Sequence, residues 1–176
     1  MARVLCIANQ KGGVGKTTTA VNLADALAKS DRRTLLVDLD PQCNATSALG
    51  AKAVDHHPLL MDEPLSDLQV GIYPDTLAVL PGSRNIDDVQ RLAASEETDR
   101  RHLLSRLATT HATFDTVVID CPPSLGRLTQ TALMASTEVL MPIQCEFFAM
   151  EGLTQMIEVI RDVMHSGTSQ LDFGGI

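Results

Sequence analysis

The stretch "NQKGGVGKTTT", residues 9 to 19, concentrates groups that can hold a phosphate. Gly12, Gly13 and Gly15 let a backbone turn so that successive N–H groups point inward at phosphate oxygens, and Lys16 brings a cation to the β- and γ-phosphates. Thr17 offers a hydroxyl to Mg²⁺, Thr18 lies near an α-phosphate, and Gly12, Gly13, Val14, Gly15, Lys16, Thr17 and Thr18 together form a segment able to cradle one nucleotide. The generic spacing G-x-x-x-x-G-K-[ST] would place a first glycine at position 10, where the chain has Gln10, and a second lysine, Lys11, follows it. A glycine-rich strand-to-helix turn with a solvated lysine is the competing reading, but position, glycine spacing and Lys16 agree on a phosphate loop.

Phosphoryl transfer also needs carboxylates to hold a metal through water and a group to orient the attacking water. Asp120 closes the apolar run "TVVID", from which an aspartate reaches the Mg²⁺ shell. Asp38 and Asp40 end "LLVDLD", where ligands bind beyond the carboxyl ends of strands. Period-two alternation puts both on one side, and Pro41 bends the chain after Asp40, which leaves Asp40 freer to position the hydrolytic water. Asp38 is a weaker candidate near the metal, and for either one a turn-forming role is the alternative.

The elements that must carry these groups follow from hydrophobic periodicity. "RVLCIAN" is a strand, "GKTTTAVNLADALAKS" a helix with Val21, Leu23, Ala24, Leu27 and Ala28 at helical spacing, and "TLLVDLD" a second strand, which makes a β-α-β unit. Residues 41 to 76 are expected to hold short helices and loops, with "GIYPDT" as turn-like punctuation and a short strand near "LAVLPG". Helical spacing returns between about residues 86 and 110, followed by the buried strand in "FDTVVIDCPPS", the helix "LGRLTQTALMAS", the strand "TEVLMPI", the long helix "MEGLTQMIEVIRDVMHS" and a further apolar run at "LDFGGI". The fold class is therefore α/β: a doubly wound, mainly parallel sheet with helices on both faces, forming a single domain over residues 1–176.

A chain of 176 residues with 44% hydrophobic composition can bury a core, which excludes disorder and a small disulfide scaffold. Cys6, Cys43, Cys121 and Cys145 show no C-x-x-C spacing, so zinc, an iron–sulfur cluster and a redox motif give way to buried thiols. No signal-peptide core and no membrane-length apolar stretch is present, and a cytoplasmic location is expected. The net charge of −8, from 14 basic and 22 acidic side chains, is not the footprint of a nucleic-acid binder.

With these residues assembled, the chain resembles the ParA/MinD family of deviant-Walker-A P-loop ATPases, and within it the ParA (Soj) partition branch. "KGGVGKTTTAVNLADALA", "LLVDLDPQCNATSALG", "FDTVVIDCPPSLG" and "VLMPIQCEFFAMEGL" are similar to the family's four motifs in order and spacing. Taken alone, Lys11 is local electrostatics beside an anion site. The resemblance implies that it is the signature lysine, which crosses an ATP-sandwiched homodimer to the partner's phosphates and joins Lys16 and Asp40 in catalysis. It further implies ATP/ADP and Mg²⁺ as cofactors, switch segments at Asp40–Thr46 and Asp120–Gly126, nonspecific DNA bound through residues beyond this chain, nucleoid association, and a ParB-like centromere-binding partner that stimulates hydrolysis. Glu146 and Glu151 stand in the fourth motif, where a helix-dipole role explains them equally well. The resemblance also implies a C-terminal part beyond "LDFGGI". A MinD-like positioning ATPase at a membrane or cargo, and a nucleotide-binding interaction module without efficient turnover, are the alternatives.

Overall fold

In the computed structural model, which describes residues 2–72, 75–92, 104–110, 113–144, 149–166 and 169–176, the apolar runs of the sequence become strands of one sheet. They are β1 (Arg3–Ile7), β2 (Thr34–Asp38), β3 (Val70–Ile72), β4 (Leu77–Leu80), β5 (Thr116–Asp120), β6 (Glu138–Leu140) and β7 (Asp172–Gly175). The order across the sheet is β3-β4-β2-β5-β1-β6-β7. All neighbours are parallel except β3 and β4. The helices are α1 (Lys16–Lys29), α2 (Asn44–Ala48), α3 (Leu65–Leu68), α4 (Ile86–Leu92), α5 over 104–109, α6 (Arg127–Met134) and α7 (Ala149–His165), with a 3₁₀ turn at Pro58–Leu60.

Burial on both faces explains why the strands read as unbroken apolar runs: every residue of β2, β4 and β5 is buried. Alternate residues feed two cores. Leu5, Ile7, Leu36, Val79 and Val118 pack against the small stripe Ala20, Ala24 and Ala28 of α1. Val4, Cys6, Leu35, Val37, Val117 and Ile119 face the other way, towards Leu107 of α5, Leu128 and Leu133 of α6, and Met156 and Ile160 of α7. The doubly wound, mainly parallel sheet with helices on both faces is thus the observed architecture.

One expectation is corrected. Within the segment predicted as loops and short helices, Val70–Ile72 forms β3, antiparallel to β4, and Gly71 and Ile72 of the turn-like "GIYPDT" are strand residues. The strand is three residues long at a sheet edge and Val70 is 40% exposed, so it carries no apolar alternation and is held by backbone pairing. Cys145 and Glu146 of the fourth motif, and the side chain of Glu151, lie outside the described residues.

Candidate nucleotide-binding site

Three strand ends make the floor of the site. Parallel pairing brings Ile7, Asp120 and Asp38 into one rung at the carboxyl ends of β1, β5 and β2. The glycine-rich loop leaves β1 there and turns into α1. Gly13 and Gly15 adopt φ of 75° and 91°, a left-handed region that side chains resist, so these two positions require glycine.

Side chains from elsewhere in the sequence hold the loop. Asn9, 5% exposed, donates from Nδ2 to the Pro142 carbonyl (2.7 Å) and accepts the Lys11 N–H at Oδ1 (3.0 Å). Gln144 Nε2 donates to the Gly13 carbonyl (3.1 Å). The Lys16 ammonium donates to the Lys11 carbonyl (2.9 Å), so the two lysines meet through backbone. Val14 of the loop is buried.

A cavity of about 330 Å³ opens above this loop. It is lined by Gly12, Gly13, Gly15, Lys16, Thr17 and Thr18 of the glycine loop and the start of α1, together with Asp40, Gln42, Asn44 and Pro123 from the segments after β2 and β5. A glycine cradle, a helix N-terminus and a lysine give a surface suited to a polyphosphate. Burial pulls the Lys16 ammonium below its ordinary pKa, while attraction to Asp120 and Asp40 acts the other way.

Asp120 has no exposure, and neither carboxylate oxygen makes a well-formed hydrogen bond, although the Thr17 hydroxyl lies near enough to act on it. Burial pushes its pKa up to about 7; Asp38 and Asp40 push the same way, while the Thr17 hydroxyl and Lys16 offset only part of this. Such a group is costly unless a cation or donors are brought to it. Among the described residues no cluster of three or more His, Cys, Asp or Glu could hold a metal by itself. Mg²⁺ does not need one, because it is held through one or two oxygen side chains, waters and substrate phosphates, and the Thr17 hydroxyl with Asp120 near it fits that donor set.

The two aspartates of "LLVDLD" separate. Asp38 is fully buried and structural: Oδ2 accepts from the Thr46 hydroxyl (2.6 Å) and the Thr46 N–H (2.8 Å), and Oδ1 from the Asp40 N–H (3.2 Å). Asp40 reaches the cavity wall, and its Oδ1 accepts the Gln42 N–H (2.9 Å). The Thr46 hydroxyl also accepts the Gly82 N–H (2.9 Å), tying the loop after β2 to the end of β4. His57, 2% exposed, braces it from outside: the Leu59 N–H donates to Nδ1 (3.2 Å), which leaves the proton on Nε2 to donate to the Asp38 carbonyl (3.1 Å).

Among the predicted residues, Gly12, Gly13, Gly15, Lys16, Thr17, Thr18 and Asp40 share the cavity, and Asp120 is buried at the end of β5. Lys11 and Val14 belong to the same loop without lining that cavity. Asn9, His57 and Gln144 were not singled out, and Gln42, Asn44 and Thr46 stood within the expected switch segment Asp40–Thr46 without roles of their own. Gln42 and Asn44 carried a usable signal, as polar residues just after a strand-terminal aspartate. Cys6, Cys43 and Cys121 are buried free thiols, as expected, and Cys6 and Cys121 meet at 3.4 Å between sulfurs.

The AAA domain family (AAA_31) matches residues 2–173. The chromosome partitioning protein ParA of Myxococcus xanthus is 42% identical over 181 residues, covering 100% of this chain and 64% of the relative. The sporulation initiation inhibitor protein Soj of Bacillus subtilis is 39% identical over 181 residues, covering 100% of this chain and 72% of the relative. The chain thus spans about two thirds of the length of these relatives. Among solved structures, cobyrinic acid a,c-diamide synthase from Mycobacterium smegmatis, with bound ATP analog and magnesium, superposes with a TM-score of 0.89 at 38% identity, over 100% of this chain and 74% of that one.

Proposed function

This chain belongs to the AAA domain (AAA_31) family, in the ParA/Soj branch, and from that premise we propose that it is a partition ATPase: an ATP-driven switch that dimerises around nucleotide, binds DNA and is reset by hydrolysis. One observation carries the ATPase reading. A glycine cradle presents Lys16 and Thr17 to one cavity, and these two residues offset only part of the cost of burying the Asp120 carboxylate, whose oxygens are left without a well-formed hydrogen bond.

In this reading the loop N–H groups and Lys16 bind the phosphates, and the Thr17 hydroxyl, with Asp120 through water, would hold Mg²⁺. Mg²⁺, when bound, neutralises charge across the β- and γ-phosphates. Asp40, lining the same cavity, orients a water towards the γ-phosphorus. The water oxygen bonds to that phosphorus, the bond to the bridging oxygen breaks with its electron pair leaving on ADP, and the water's protons remain with phosphate and solvent. Lys11 acts across the dimer, where a second cation stabilises charge as an arginine finger does.

The DNA-binding and partner-stimulated parts of the reading rest on the ParA and Soj relatives. The common ground with the Mycobacterium smegmatis structure is narrower, an adenine nucleotide with magnesium. Lys16→Ala should abolish binding of a fluorescent ADP, and Lys11→Ala should preserve that binding while removing ATP-dependent dimerisation measured by light scattering. Unaltered dimerisation in Lys11→Ala would remove the trans role, and undiminished ADP binding in Lys16→Ala would remove the site.

A further inference from the structure

We propose that Gln42 is a second water-orienting side chain and that one oxygen of Asp40 serves to present it; this rests on the ATPase reading above. Asp40 divides its carboxylate. Oδ1 is used in accepting the Gln42 N–H at 2.9 Å, an Asx turn that fixes where residue 42 leaves the chain. Oδ2 makes no hydrogen bond to a described residue, and it is the oxygen available to a water.

Gln42 is exposed, and its side-chain amide makes no hydrogen bond within the described residues, yet it lines the same cavity as Lys16 and Thr17. Asp40 fixes the Gln42 backbone N–H and leaves the amide at the end of its side chain to serve what the cavity holds. Its chemistry suits the position, because a neutral amide accepts from a water O–H through its carbonyl and donates to a γ-phosphate oxygen through its NH₂. A carboxylate can do only the first, and it repels the phosphate. Asp40 Oδ2 and the Gln42 amide would then hold the same water from two sides as it attacks the γ-phosphorus and ADP leaves.

The test is single-turnover phosphate release from Mg²⁺-ATP, beside fluorescent-ADP binding and thermal melting, for the 176-residue chain. Gln42→Ala and Gln42→Glu should each slow release about tenfold or more, the worth of one charge-assisted hydrogen bond to the reacting groups. ADP affinity should change less than about twofold and the melting temperature should stay unchanged. Gln42→Asn, which keeps both hydrogen-bonding functions on a shorter arm, should recover part of the rate. Release from Gln42→Ala at the wild-type rate would overturn this inference and leave the ATPase reading standing. Absence of release from the wild-type chain, with ADP bound, would overturn both.

Discussion

The positions of Lys16 and Thr17 in the cavity lining and of Asp120 at a buried strand end were legible in the sequence, because a glycine spacing and a strand end suffice to place each one. His57 was not legible, since nothing near it announces that its ring will reach back 19 residues to the Asp38 carbonyl. Asn9 was missed for the same reason, its amide closing on Pro142 across 133 residues. His57 also carries a pH dependence. Burial pulls its pKa down from 6.5 to about 4, so between these values the unfolded chain binds a proton that the folded chain refuses. Stability from this group is therefore present above pH 6.5 and is lost as pH falls towards 4. Between pH 7 and pH 5 that loss is about 2 kcal/mol. Urea denaturation of His57→Gln should show a lower stability at pH 7 and a pH 7-to-5 decline smaller by about that amount. Equal declines in the two proteins would dismiss the buried neutral ring as its source.

Among the elements, the β-α-β unit was readable and the loop after β2 only partly so. Its polar residues marked it as functional, but the sequence does not say that it is fastened at both ends. Asp38 and Thr46 close it into a ring, and Gly82 at the end of β4 locks the ring through the Thr46 hydroxyl. Gly82 approaches so closely that a Cβ there would lie 3.0 Å from Cys43 Sγ and 3.2 Å from the Asp38 carbonyl oxygen. Gly82→Ala should cost about 1–3 kcal/mol of overpacking in a chemical melt and displace the wall bearing Asp40 and Gln42. Thr46→Val, nearly the same shape, should cost more than a surface substitution because it strips one donor from buried Asp38 and one acceptor from the Gly82 N–H. A Thr46→Val chain as stable as wild type would show that the ring is not what holds this loop. The edge strand β3 escaped sequence reading for the opposite reason: three half-exposed residues held by backbone bonds leave no side-chain pattern to read.

At the scale of the molecule the doubly wound class was legible, because strands buried on both faces leave uninterrupted Val, Ile and Leu runs. The antiparallel partner of β4 and the strand order were not, since pairing partners are set by tertiary packing. At the far side, β7 has β6 as its one strand neighbour among the described residues, and Ile157, Met164, Phe173 and Ile176 line an apolar groove of about 360 Å³ beside it. Phe173 is 45% and Ile176 65% exposed. For the 176-residue chain taken by itself, an apolar strip next to an edge strand favours self-association. Phe173→Ser should raise the concentration at which the chain stays monodisperse in light scattering, with stability within about 0.5 kcal/mol of wild type, as for surface sites generally. Unchanged scattering would acquit this edge.

The central position of β1 has a consequence for how the chain is made. In the sheet β1 is flanked by β5 and β6, and its Arg3 pairs with Glu138, 135 residues later in the chain. At a synthesis rate of roughly 5–20 residues per second, the strand that ends in the glycine loop waits several seconds for both neighbours to exist. The cradle is framed only once residues 116–140 exist, so nucleotide cannot guide the steps of folding before that. Until residues 116–140 arrive, β1 has neither of its sheet neighbours and its apolar residues stay open to other contacts.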